Sequence, residues 1–280
     1  ILFCSDELDF AAGVVDNVSR DPINLARITV DSAVSGMRRK PDVCITTPTG
    51  LTSSGDNILE GLKQSLGEAF PIFGGSAADR LELKVTHQFH RNKVYTDALP
   101  FLLIGGPLRY SFGVETGWSP IGDRKRVTKS ENNVVYEIGN NPALQFYKQY
   151  LGEDISTDDV QTISDYPMAI FEEDGERYYL RAVNVWNPET NSFTCMGNVP
   201  EGSTVQIAHA TRNKIVEATQ RSVAASVNGY PGDKPVAALC FSCATRKMVL
   251  GTRVEEEYLA FKNSFPDLQV AGFYTYGEFA

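Results

Sequence analysis

Three short stretches carry side chains that could recognise or transform a small molecule: Ser76, Asp79 and Arg80; Ser242, Thr245 and Arg246; and Tyr274, Tyr276 and Glu278. An arginine fork suits a carboxylate, while Asp79 or Glu278 would suit an ammonium, so an amino-acid-like ligand would use both. Gly74 and Gly75, in a turn expected just before Ser76, would let a ligand approach backbone N–H groups closely. The expected ligand-binding set is therefore Gly74, Gly75, Ser76, Asp79, Ser242, Arg246, Tyr274, Tyr276 and Glu278. The same residues would also serve tight strand turns and a structural Arg–carboxylate pair. In an enzyme, Asp79 or Glu278 would be the general base, or Cys243 the nucleophile.

Cys240-Phe241-Ser242-Cys243 is a C-x-x-C, but Cys240 belongs to an apolar strand. No helix is expected to follow at once and lower the thiol pKa, so reduced, structural cysteines are expected. One such pair does not make a structural zinc site, and no metal site is expected. His87 and His90 stand three apart on an expected strand, which points them to opposite faces and away from a shared metal. There is no G-x-x-x-x-G-K-[ST], no G-x-G-x-x-G opening a helix and no nucleophile-elbow motif.

The elements that must hold these stretches recur in order. Ala26, Val30, Ala33, Val34 and Met37 have helical spacing, Pro41 ends that pattern, and Asp42–Thr47 reads as a strand. A second helix, with Asp56 as its expected N-cap, carries Ile58, Leu59, Leu62 and Leu66 and stops at Gly67. Later, Ile215, Ala218, Thr219 and Val223 share a helix face, and Val236–Phe241 is a strand. Thr252-Arg253-Val254-Glu255 reads as a capping box opening a helix with Val254, Tyr258 and Phe261 on one face. Pro41 and Pro71 stand 30 residues apart, Pro235 and Pro266 31 apart, which suggests an ancient duplication.

Between the copies the sequence is β-rich. Val85–Phe89 and Val94–Ile104 read as a hairpin, with further strands at Arg109–Glu115, Asn132–Ile138, Ala169–Phe171, Tyr178–Val185 and Ser192–Cys195. Asn141 is expected to cap a short helix with Pro142 in its first turn. The fold class is α/β to α+β, with mixed sheets and two pseudo-repeated halves. The polar stretch Glu153–Ser164 marks the expected boundary, giving domains 1–155 and 156–280.

The 280 residues include 26 Lys+Arg and 35 Asp+Glu, a net charge of −9, with 42% hydrophobic residues. That excludes a disordered chain and argues against general nucleic-acid binding, which needs a surplus of cations. No apolar run approaches the roughly 20 residues needed to span a bilayer, and no signal peptide is evident, so no membrane partner is expected. Five cysteines imply no disulfide framework and favour a reducing, cytoplasmic setting.

Phe-Pro-Ile-Phe-Gly-Gly-Ser-Ala-Ala-Asp (70–79), Ala-Leu-Cys-Phe-Ser-Cys-Ala-Thr-Arg (238–246) and Ala-Gly-Phe-Tyr-Thr-Tyr-Gly-Glu (271–278) stand in an order that resembles the FIST family, with its N-terminal and C-terminal domains. The resemblance runs from about Asp16 and includes the connectors Gly117–Gly122, Gly139–Leu144 and Val199–Gly202. It implies a sensory, small-ligand-binding module of intracellular signal transduction, with amino acids as ligands and no catalytic activity. It also implies a signalling partner, whether a kinase, a chemoreceptor or a ubiquitin-ligase component. An interaction scaffold of the F-box-adaptor type is the alternative. No cofactor is expected, and haem held by His87, His90 or His209 is an outside alternative that the resemblance brings. Family members continue past the Gly-Glu word with a closing β segment, and Ile1–Ser5 reads as the inside of a strand, so residues are expected to be missing at both ends.

Overall fold

The computed structural model describes residues 4–152 and 165–280. The chain opens with β1 (Asp9–Asp16), α1 (Pro22–Ser35), β2 (Val43–Thr46), α2 (Gly55–Leu66), β3 (Ile72–Ala77), β4 (Gln88–His90), β5 (Lys93–Tyr95) and β6 (Ala98–Gly105). A β-rich middle follows: β7 (Ser119–Glu131), β8 (Val134–Ile138), β9 (Asn141–Pro142), α3 (Ala143–Leu151), β10 (Met168–Phe171), β11 (Tyr178–Arg181), β12 (Val183–Asn187), β13 (Ser192–Cys195) and β14 (Thr204–His209). The last stretch is α4 (Arg212–Asn228), β15 (Ala237–Cys243), α5 (Ala244–Leu250), α6 (Glu255–Ser264) and β16 (Gln269–Phe279). Two compact units result, one of Ile1–Glu115 with Ala218–Ala280, the other of Thr116–Glu217. The fold is mixed α/β. The boundary expected at 155/156 lies outside the described residues.

The first unit is built on a six-stranded sheet in the order β1-β6-β2-β3-β16-β15. β2 and β3 are parallel, as are β15 and β16, while β3 and β16 meet antiparallel at the centre. Helix–strand–helix–strand therefore occurs twice, each time with a parallel strand pair. The second occurrence adds α5 and a 3-10 turn between its first strand and α6. α1 begins where the Asp21 side chain accepts the Asn24 N–H at 3.3 Å and Pro22 opens the first turn. Its Ala26 and Val30 pack with Ile58 and Leu62 of α2 over Cys44, Ile72, Leu99 and Leu103 of the sheet. Burying these apolar faces is the main stabilisation of the unit.

The second unit is an antiparallel sheet in the order β11-β10-β14-β7-β8-β13-β12, with β9 beside β8. α3 drives Leu144, Phe146 and Tyr147 into its core, where the Tyr147 ring meets Trp186 and Phe193 edge-on at centroid distances of 5.1 and 5.3 Å.

Several local expectations need correction. Arg109–Glu115 forms no strand; Ser111 Oγ donates to the Ser226 carbonyl and Ser222 Oγ to the Gly113 carbonyl at 2.8 Å, so this segment lies along α4. The Val94–Ile104 run divides, giving a short β4–β5 hairpin and a separate strand, β6, that enters the large sheet. Cys4 and Ser5 are not in a strand, while residues 1–3 lie outside the described residues. Asp56 sits inside the first turn of α2, whose cap position is Ser54, and there its charge favours the helix N-terminus. Asn141 lies in β9 and its side chain donates to the Gly139 carbonyl, so it does not cap α3. The Thr252–Glu255 box is absent, because Thr252 lies in the 3-10 turn Gly251–Arg253 and Val254 is already helical. Arg253 instead pairs with Glu256 at 2.5 Å.

Candidate functional site

All nine residues of the expected ligand set lie in the first unit and surround β16. β15 runs beside the first half of β16, setting Ser242 against Tyr274 and Cys243 against Thr275. β3 runs against the second half, setting Ala77 against Thr275 and Gly75 against Glu278. The carboxyl ends of β3 and β15 thus converge on the middle of β16 from its two sides. Crevices outside the carboxyl ends of strands are where open α/β sheets take ligands. An open crevice of about 410 Å³ lies here, lined by Arg80, Leu81, Lys247, Met248, Val254 and Tyr274, with Ala78, Ala244 and Gly251 as its small residues. Of the nine, Tyr274 lines it.

Gly74, Gly75 and Ser76 lie inside β3, not in a turn after it, and all three are buried. Gly74 has φ +151°, and a Cβ there would stand 1.8 Å from the Thr46 carbonyl oxygen of the neighbouring strand. A Cβ on Gly75 would stand 2.4 Å from Thr275 Cγ2. These glycines let three strands close on one another, which is the structural reading of the Gly-Gly word.

Arg246 was expected either to anchor an anionic ligand group or to form a structural Arg–carboxylate pair. It is buried, and its Nε donates to Glu257 at 2.8 Å, with its other nitrogens donating to Thr219 Oγ1 and the Glu115 carbonyl. Glu257, also buried, accepts in addition from the Tyr274 hydroxyl at 2.6 Å, the Ser242 hydroxyl at 3.2 Å and the Thr219 hydroxyl at 3.3 Å. Burial and the bond to Glu257 push the Tyr274 phenol above its usual range. Glu257 thus ties α6 to α4, α5, β15 and β16. Sequence reasoning passed it over, yet position 257 shares the helix face of Val254, Tyr258 and Phe261, and an acid on an apolar face signals a buried partner.

Asp79 is the second organiser. Its carboxylate accepts from the Tyr276 hydroxyl and from the backbone N–H groups of Leu83, Lys84 and Val85 at 3.0, 2.6 and 3.0 Å. Burial alone would raise its pKa, but the Tyr276 hydroxyl and the three N–H donors hold it down to about 2. Tyr276 in turn accepts the Leu81 N–H at 2.8 Å, and its phenol is pushed up to about 12, first by burial and then by Asp79. Between these anchors Arg80, Leu81 and Leu83 all have left-handed φ, at 63°, 68° and 53°. Such a run costs free energy and persists only where surroundings enforce it.

Glu278 accepts from the Thr275 hydroxyl, and the protein atoms crowded around its carboxyl raise its pKa to about 7. The residue keeps an exposed side, so water offsets part of that rise.

A helix, α5, does follow the C-x-x-C at once, with Cys243 at its cap position, which corrects the expectation there. The thiols are not activated by it. Burial pushes Cys240 up to about 11 and Cys243 up to about 12. Cys240 and Cys243 are half-buried, Cys44 and Cys195 are buried and raised to about 12, and Cys4 is exposed. In native protein one of the five thiols should react quickly with an aromatic disulfide reagent, and Cys4→Ser should abolish that fast phase. Fast reaction of Cys243 would contradict the assignment.

His87 is exposed and lies just before β4; His90 is half-buried, and burial with the nearby Arg91 lowers its pKa. His209, in the second unit, stacks on Tyr166 at 5.2 Å. Among the described residues no three His, Cys, Asp or Glu side chains group as a metal site. No helix there is long and apolar enough to cross a membrane.

The family model of the FIST N domain matches residues 1–141, and that of the FIST C domain matches residues 143–280. The chain belongs to the FIST family, whose domains are sensor modules of signal transduction and not a known enzyme family. It is similar to an uncharacterized protein of Methanocaldococcus jannaschii, with 36% identity over 100 residues, covering 36% of this chain and 19% of that protein. The chain thus matches about a fifth of that relative's length. No solved structure matches significantly.

Proposed function

We propose that this chain is an intracellular, non-catalytic sensory module that binds a small ligand of amino-acid size in the crevice between Arg80, Lys247 and Tyr274. Binding there would bias a signalling partner such as a kinase, a chemoreceptor or a ubiquitin-ligase component. The observation that carries this reading is the convergence of the β3 and β15 ends on β16, beside a strained loop that a ligand can press on. The tuning of the alternative catalytic groups supports a non-catalytic role. Asp79 is a spent acceptor far below neutral pKa, and Cys243 is a protonated thiol. No cofactor is part of the proposal.

Native mass spectrometry of freshly purified protein should find a retained small molecule. Met248→Trp, which fills the crevice from α5, should eliminate it with little change in melting temperature. Retention by that variant would move the site elsewhere.

Glu278 gives a second, catalytic reading its one foothold, because a carboxyl raised above its ordinary range suits proton transfer. A retained molecule that is chemically altered by wild type and intact with Glu278→Gln would favour that reading.

A further inference from the structure

We propose that the crevice selects an oxyanion on an apolar body, a carboxylate or a phosphate monoester, and disfavours a ligand carrying an ammonium group. This rests on the crevice being the ligand site and names the chemistry that it takes. Its lining holds two cations, Arg80 and Lys247, and no acid. Both are exposed, and among the described residues neither makes an ion pair. In a chain of net charge −9 this is a local reversal of sign.

The acids expected to receive an ammonium are already engaged. Asp79 accepts from Tyr276 and three backbone N–H groups, and Glu257, beneath Tyr274, accepts from Arg246 and three hydroxyls. Glu278 is not part of the lining. An amino acid would therefore bring its ammonium to a wall with two positive charges and no free carboxylate.

The supports of both cations are also held in place. Arg80 follows Asp79 directly in the clamped left-handed segment, so the backbone from which it projects is set before any ligand arrives. Lys247 Nζ lies 5.6 Å from the centre of the Tyr274 ring, and that ring is fixed by its bond to Glu257. Preorganised groups lose less freedom on binding. Leu81, Met248 and Val254 complete the lining with apolar surface for the ligand's body.

Calorimetric titration of the full chain tests this with 4-methyl-2-oxopentanoate, leucine, leucinamide and inorganic phosphate. The oxo acid should bind, leucine at least about tenfold more weakly, and leucinamide not at all. Arg80→Ala and Lys247→Ala should each weaken the oxo acid by about tenfold to a hundredfold, the worth of a charge-assisted hydrogen bond. Their melting temperatures should stay within a degree or two, because both residues are exposed. Tighter binding of phosphate than of the oxo acid identifies a phosphate ester as the ligand and supports the oxyanion site. Leucine binding as tightly as the oxo acid overturns the proposal, as does affinity unchanged in both variants or no binding by any of the four. In those cases a neutral or cationic molecule retained in native mass spectra would leave the sensory reading standing, and its absence would sink both.

Discussion

Glu257→Gln should lower the melting temperature of the chain by roughly 10 °C, the largest effect expected of a single charged-to-neutral change near the crevice, because removing one member of a buried ion pair costs about 3–5 kcal/mol and a domain of this size shifts about 2–4 °C per kcal/mol. The amide cannot neutralise the Arg246 guanidinium, which is buried and donates to the Glu257 carboxylate at 2.8 Å. Arg246→Ala should cost less. The carboxylate it leaves behind still accepts from the Tyr274, Ser242 and Thr219 hydroxyls. Arg246→Met with Glu257→Leu should recover much of the Glu257→Gln loss, since a buried pair often contributes little net stability over an apolar replacement. Thermal melts of the four proteins at pH 7 decide the matter. If Arg246→Ala instead melts like wild type while losing its small ligand, Arg246 is the anionic-group anchor that its sequence context suggested, and the ion pair is secondary.

That contrast shows where sequence reading succeeds and where it stops. The apolar runs of β2 and β3 announce strands buried inside the sheet, and that of β15 announces a strand too, although it stands at the sheet edge and is only half-buried. The Phe-Pro words stand shortly before β3 and β16, whereas the glycine words lie inside those strands, and the expected stretches do come together around β16. β7 gives no such signal. Ser119–Glu131 is charged and mostly exposed, and it is held by backbone pairing to β8 and β14 that its side chains do not advertise. β1 and β14 were passed over for a similar reason, being defined by their partners' registers. Within the site, residue type alone could not tell a donor facing a ligand from one already spent. Arg246 and Asp79 have the right chemistry for ligand recognition, but each is engaged by neighbours distant in sequence or by the local backbone. Arg80, one position from Asp79, lines the crevice together with Lys247, one position from Arg246.

Asp79→Asn should release the segment between Arg80 and Val85 and remove an acid-sensitive part of the stability. The folded-state pKa of Asp79 is depressed to about 2, so its contribution is fully present above the unfolded carboxyl's range near 4. It is lost as pH falls from about 4 through about 2, because protonation ends its role as a four-fold acceptor. The contribution is about 1–2 kcal/mol once solvent screening of this half-buried group is allowed for. Wild type should therefore lose melting temperature across that window, and Asp79→Asn should begin lower at pH 7 and lose less. Hydrogen exchange supplies the local reading. The Leu83, Lys84 and Val85 amides, which donate to the carboxylate, should exchange faster in the variant, while core amides such as Leu103 in β6 should not. Tyr276→Phe should expose the Leu81 amide and disturb Leu83–Val85 less, since those three donors keep their acceptor. Because Arg80 projects from this segment, Asp79→Asn should also weaken any oxyanion bound in the crevice without touching it directly. Unchanged protection at Leu83–Val85 in Asp79→Asn would show that the left-handed run stands without its carboxylate, and the clamp would have to be abandoned.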